Sequence, residues 1–267
     1  MRATTSNWIP QQRIRSIVLL ASALALAGGV GMLWSLAALA LLVPALGAGC
    51  AAFIMIRIRQ QLSPGGGGWE RRIHDLVISR LALAPGSSAS VLDVGCGDAS
   101  LLIALLAQDP AVIATGVDFW GSNWGYAQAA CQARVSNLGL RVGFHRMDAA
   151  QLEFPDESFD VVVSVMCFHE VRPPHGDAMR GPLVALREAL RVLRPGGTFV
   201  LVDRFADPAD YGPPADLTAV LQTTSGLSRE PLVSTLRLPW PLNMKRALGP
   251  VQMLSGRKLT SPQEARG

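Results

Sequence analysis

The feature that most limits what this chain can become is the stretch from Val91 to Ser100, Val-Leu-Asp-Val-Gly-Cys-Gly-Asp-Ala-Ser. Val91, Leu92 and Val94 make an apolar run of the kind found in strands buried on both faces. The chain then turns on Gly95 and Gly97. A second apolar run follows, Leu101, Leu102, Ile103, Leu105 and Leu106, with helical length and composition. Strand, glycine turn and helix open a βαβ unit, whose ligand lies at the turn. Glycine permits φ > 0 there and lets a ligand approach the main chain. The start of the helix presents N–H groups without intrahelical partners.

Charge narrows the ligand. A dinucleotide brings a pyrophosphate and the fingerprint G-x-G-x-x-G. Here Ser100 takes the third glycine position, and Asp98 at the turn would repel a pyrophosphate. Asp93 lies inside the motif, and Asp118 and Asp148 stand at the ends of later predicted strands. No Lys or Arg occurs between Arg80 and Arg134. An acidic pocket without basic counterweight suits a ligand that carries positive charge.

With these residues in view, Asp93-x-Gly95-x-Gly97 after a hydrophobic strand resembles motif I of the class I S-adenosylmethionine-dependent methyltransferases. Gly116-Val117-Asp118 resembles the end of their second strand, and Met147-Asp148-Ala149 the position that contacts the adenine. Phe159-Asp160-Val161-Val162-Val163-Ser164 resembles their fourth strand. Leu190-Arg191-Val192-Leu193-Arg194-Pro195-Gly196-Gly197 resembles the helix and turn before the fifth. The matches keep the family's order and cover roughly residues 85 to 260. The resemblance implies an α/β fold, a Rossmann-like doubly wound seven-stranded methyltransferase sheet. It implies that Asp93, Gly95, Gly97, Asp118 and Asp148 hold S-adenosylmethionine, with Cys96, Phe119, Ala149 and Ser164 beside them. Phe119 and Trp120 read equally well as adenine contacts and as core aromatics.

Ahead of this domain, composition changes. Charged residues are 16% of the chain, against about 25% in an ordinary soluble domain. Between Arg15 and Arg57 there is none. As one helix, residues 16 to 56 would run about 60 Å, twice the roughly 30 Å hydrocarbon core. Two transmembrane helices fit better, near 14–31 and 34–56, turning at Gly28, Gly29 and Gly31; Pro44 within the second is tolerable in a membrane helix. Arg13 and Arg15 flank the first and Arg57 and Arg59 the second, so both basic clusters share one side. The positive-inside rule assigns that side, and the main domain, to the cytoplasm. The expected organisation is a membrane anchor over 1–59, a Gly-rich linker over 60–68, a methyltransferase domain over 69–260 and a tail over 261–267. The rival reading, a secretory signal ending at Ala25-Leu26-Ala27, leaves the apolar residues 28–56 unexplained.

Further along, Trp69 to Leu83 reads as an amphipathic helix with His74 on its surface. Strands are predicted over 90–94, 112–117, 141–146, 161–165, 198–202, 232–238 and 251–258. Helices are predicted near 98–107, 126–138, 182–193 and 215–224. The proline-rich stretches 205–214 and 239–250, and the loop from Arg172 to Asp177, read as loops on the substrate side. The basic excess of +4 is mild and lies largely at the amino end, so no nucleic-acid footprint is expected. The four cysteines lack C-x-x-C or zinc spacing, and no metal is expected. Methyl transfer from a sulfonium needs a base only where the acceptor must lose a proton. His169, just past the fourth strand, is the candidate, with Glu170 a lesser one. The anchor points to a lipophilic or membrane-bound acceptor, and a small soluble one stays open. Two alternatives stand beside an enzyme: a cofactor-binding scaffold that methylates nothing, and an NAD(P)-dependent reductase, disfavoured by Ser100 and Asp98.

Overall fold

A computed structural model describes residues 8–32, 34–121, 127–172 and 180–260. The predicted loop residues 173–177, the tail 261–267 and the start of the helix at Tyr126 lie outside the described residues. The chain divides into two compact units, one over Met1–Glu70 and one from Arg71 onward.

The first unit is a helical hairpin. α1 (Gln11–Gly31) is followed by a 3-10 turn (Leu36–Leu41) that leads directly into α2 (Leu42–Leu62). Both spans are long and apolar enough to cross a bilayer; α1, at 21 residues, is about 31 Å long. Their surface is greasy: Leu19, Leu26, Leu36, Val43 and Leu46 are all exposed. Gly28 sits where α1 meets the returning chain, and a Cβ there would lie 2.9 Å from Leu42 Cδ2. Pro44 falls in the first turn of α2, where its missing N–H breaks no helical bond. The second helix runs past the predicted end at 56. Its last turn takes in residues 60–62, which shortens the linker to Ser63–Gly68.

The second unit opens on α3 (Trp69–Arg80), which enters it at Arg71 and buries Ile73 and Val77 completely. His74, expected at the surface, is buried too. It stands three and seven residues before Val77 and Leu81, so it shares their helical stripe. Burial pulls its imidazole down to about 4.

Seven strands follow: β1 (Ser90–Val94), β2 (Ile113–Asp118), β3 (Val142–Arg146), β4 (Phe159–Val165), β5 (Leu193–Asp203), β6 (Thr224–Pro231) and β7 (Gln252–Lys258). Their order in the sheet is β3-β2-β1-β4-β5-β7-β6. The first five run parallel, and β7 and β6 pair antiparallel. α4 (Ser100–Gln108), α5 (Gln128–Asn137) and α6 (Gly181–Val192) are the helices between the parallel strands. Short helices α7 (Pro208–Tyr211), α8 (Pro214–Val220) and α9 (Leu232–Leu236) interrupt the carboxyl-terminal part. The core joins Leu92, Val162, Phe199 and Leu201 of the sheet to Leu183, Leu186 and Leu190 of α6. Arg191 of α6 locks the approach to β4: it donates to the carbonyls of Leu152 (2.7 Å) and Phe154 (2.9 Å) and pairs with Glu188 (2.8 Å).

One predicted strand is wrong. Residues 232–238 begin with helix α9, and the edge strand lies just upstream at Thr224–Pro231. An edge strand pairs on one side only and stays largely exposed, so Thr-Ser-Gly-Leu-Ser-Arg-Glu-Pro needs no apolar alternation. Leu232, Val233 and Leu236 have helical spacing instead.

Candidate active site

The sheet reverses its order between β1 and β4, and open α/β sheets bind ligands at that switch point, beyond the carboxyl ends of the strands. Register brings the predicted residues together there. Asp93 pairs with Gly116 of β2 and Val163 of β4. Gly95 and Gly97 follow β1 with φ of 77° and 56°. Asp118 ends β2, and Cys167 to Glu170 follow β4.

The turn's own donors are consumed within the protein. Gly95 and Cys96 N–H both donate to the Val117 carbonyl (2.8 and 2.9 Å), and Gly97 N–H donates to Asp118 Oδ2 (2.9 Å). Ser100 N–H at the start of α4 donates to Asp98 Oδ1 (3.1 Å). The expectation that free N–H groups face the ligand is therefore corrected for these positions. A nest for phosphate oxygens needs such donors unpaired. Asp98 is no pocket charge either: Arg134 of α5 pairs with it at 2.6 Å. The basic counterweight exists, but it sits on the helix-capping acid.

Asp93 differs from Asp98. Its side chain is 2% exposed, and no hydrogen bond reaches its carboxyl among the described residues. Burial and then the charge of Asp118 push it up to about 8. Asp118 is also raised, by burial, although N–H groups of Trp120 (2.7 Å) and Gly97 oppose that. Among the described residues no cation faces these two acids, whose ionisation is held back, and a sulfonium or ammonium group would supply one. The residues present thus fit a cationic methyl donor.

The neighbours divide into those that face outward and those that brace. Trp120 is buried, and its indole N–H donates to the Gly97 carbonyl (3.1 Å). It clamps the turn. Phe119 is 60% exposed with the Arg146 guanidinium 5.4 Å from its ring centre. Asp148 is exposed and caps its own turn through Ala150 N–H (2.9 Å); Ala149 is half-buried beside it. Cys96 turns its buried thiol toward β2, where a Cβ on Gly116 would lie 2.8 Å from the sulfur. Only its main chain is left for a ligand. Ser164 is buried and donates to the Val94 carbonyl (2.7 Å), which stitches β4 to β1.

His169 faces a partner that sequence reading missed. Its Nδ1 lies 2.9 Å from Asp203 Oδ1, and Asp203 is almost fully buried at the end of β5. Arg204 N–H also donates to Asp203 (2.6 Å), while the Arg204 side chain is held by Asp207 and Asp210. Nε2 of His169 lies 3.6 Å from Glu170. Burial lowers the imidazole, but the bond to Asp203 and the charges of Asp203 and Glu170 outweigh it, and the net direction is up. The Tyr211 hydroxyl, also unforeseen, is buried without a hydrogen-bond partner among the described residues. The available signal for Asp203 was its place: an acid ending the apolar run Phe199 to Val202, as Asp118 ends β2. A Cβ on Gly95 would run into the Cys167 side chain, two residues ahead of His169, so the turn after β1 and the segment that carries His169 are neighbours.

Residues 92–201 match the methyltransferase domain family. Over that stretch the chain resembles the class I S-adenosylmethionine-dependent methyltransferases in sequence and in fold. The chain is 31% identical over 156 residues to 27-O-demethylrifamycin SV methyltransferase from Amycolatopsis mediterranei (strain S699), covering 58% of this chain and 53% of that one. It is 36% identical over 133 residues to phosphatidylethanolamine N-methyltransferase from Cereibacter sphaeroides, covering 49% and 57%. It thus spans about half the length of these relatives. Among solved structures it is similar in fold to geranyl diphosphate C-methyltransferase from Streptomyces coelicolor A3(2), with a TM-score of 0.54 and 11% identity, over 71% of this chain and 79% of that chain.

Proposed function

We propose that this chain is a membrane-anchored methyltransferase that moves a methyl group from S-adenosylmethionine to a lipophilic acceptor, with His169 as base. The observation that carries the base is the 2.9 Å contact between His169 Nδ1 and Asp203 Oδ1. Asp203 fixes the tautomer that keeps the proton on Nδ1, which leaves the Nε2 lone pair to take a proton from the acceptor. Asp203 also steadies the imidazolium that results, and its burial keeps water from weakening that effect. Bound S-adenosylmethionine supplies an activated methyl group on a cationic sulfur. Asp93 and Asp118 balance that charge, Trp120 and Asp118 hold the turn in shape, and positioning does most of the remaining work.

The acceptor class follows from the anchor. Two apolar spans long enough to cross a bilayer precede the domain by the short stretch Ser63–Gly68, and the arginines at one end of the hairpin support a cytoplasmic side for it. A lipid, or another molecule dissolved in the bilayer, meets such an enzyme at high local concentration. That one relative is named for a phospholipid acceptor supports the same class.

Membranes that contain the full-length protein, given methyl-labelled donor and then extracted, test the reading. Label is expected in the organic phase, and His169→Ala should lower its rate by about 10²-fold or more. Donor binding with no labelled product would favour the scaffold reading. Label confined to water-soluble products would remove the lipophilic acceptor.

A further inference from the structure

The hairpin carries a cavity that the methyl-transfer reading does not use. Residues from the first turns of α1, the last turns of α2 and the following Ser63–Gly67 segment enclose about 680 Å³. Arg15, Arg57 and Arg59 line it, with Gln11 and Gln61 between them. Residues 1 to 69 contain no Asp or Glu at all. Arg59 is engaged, donating to the Ile9 carbonyl and lying near Glu70. Arg15 and Arg57 have no acidic partner among the described residues; the only side-chain bond of Arg57 is to Gln60 (3.4 Å). A cavity with two uncompensated guanidiniums is built for an anion, and guanidinium geometry matches a phosphate best.

The surroundings say what carries the phosphate. Leu19 lies one turn beyond Arg15 on α1, at i+4, and is 69% exposed. Phe53 lies one turn before Arg57 on α2, at i−4, and is 55% exposed. Residues four apart share a helix face. Each arginine of the cavity therefore continues into an exposed apolar strip along its own helix. A soluble phosphate would use the arginines and leave the strips bare. A phospholipid would use both, its acyl chains lying along Leu19 and Phe53. Resting on the membrane reading above, we infer that this cavity is a binding site for the phosphate headgroup of an anionic phospholipid, in the leaflet that holds both arginine clusters. The volume is ample, since ligand sites usually measure about 300–1,000 Å³.

Native mass spectrometry of the full-length protein in detergent, titrated with phosphatidylglycerol or phosphatidylcholine, tests the inference. Wild type should favour phosphatidylglycerol by at least tenfold. The double variant Arg15→Gln, Arg57→Gln should lose about thirty-fold in phosphatidylglycerol affinity, from about fivefold per juxtamembrane arginine. Arg13→Gln removes the same charge outside the cavity and should cost far less. Equal affinity for both lipids, or equal loss from Arg13→Gln and Arg15→Gln, overturns the site. Competition by glycerol phosphate at lipid-like concentrations makes it a soluble-anion site and overturns the lipid assignment. Carbonate washing of native membranes reads the anchor separately. A chain that stays in the membrane yet shows no lipid preference sinks this inference alone, and a chain that washes off sinks the anchor and the lipid site with it.

Discussion

Replacing Asp93 with Asn should make the domain more stable when no donor is added. Asn keeps the shape of the carboxyl and cannot ionise. Asp93 is buried to 2% exposure, and burial with the nearby Asp118 charge raises it from 3.8 to about 8. Above about pH 4 the unfolded chain releases this proton, while the folded domain keeps it up to about pH 8. Stability therefore falls as pH rises across that window. At pH 7 the penalty spans roughly three pH units at about 1.4 kcal/mol each, about 4 kcal/mol at most. At pH 5 it is roughly 1–2 kcal/mol by the same reckoning. For a domain of this size 1 kcal/mol moves the melting temperature by about 2–4 °C. Differential scanning fluorimetry of Asp93→Asn should thus show a rise on the order of 10 °C at pH 7 and about 5 °C at pH 5. The same variant should bind S-adenosylmethionine more weakly, because the counter-charge is gone. An equal gain at both pH values, or a loss at pH 7, would refute the reasoning.

Asp118→Ala frees the N–H groups of Gly97 and Trp120 and removes a second counter-charge; titration calorimetry should record at least a tenfold loss of donor affinity (on the order of 1.4 kcal/mol), and unchanged affinity would put the pocket elsewhere. The raised imidazole of His169 must be neutral to act, so the rate should climb with pH through a midpoint above the ordinary value of about 6.5. Asp203→Asn removes the raising bond and charge and leaves burial, so it should lower both the maximal rate and that midpoint; a midpoint that stays put rules out the pair. Arg191→Ala strands the Leu152 and Phe154 carbonyls and Glu188, and should cost about 2–4 kcal/mol in denaturant unfolding with donor affinity little changed.

The central sheet was legible because its strands are buried on both faces and are largely apolar: Val91 to Val94 and Val161 to Val165 are short apolar runs bounded by turn residues. The candidate acids were legible for a related reason: Asp93 interrupts such a run and Asp118 ends one, where an apolar residue would be expected. β6 was not, because an edge strand with one partner carries no such pattern. Asp203 escaped although it obeys the same rule as Asp118, because its value lies in His169, 34 residues away in sequence. The Asp98–Arg134 pair, 36 residues apart, escaped likewise. Spacing along a chain reports neighbours on one element, and these pairs join different ones. His74 is the opposite case: its residue type suggests the surface, while its place on the stripe with Val77 dictates burial.

Gly95 and Cys167 meet so closely that a methyl group on the former would lie 2.3 Å from the latter's Cβ and sulfur. One belongs to the turn after β1, and the other stands two residues ahead of His169. Any side chain at position 95 would therefore have to displace the segment that carries His169.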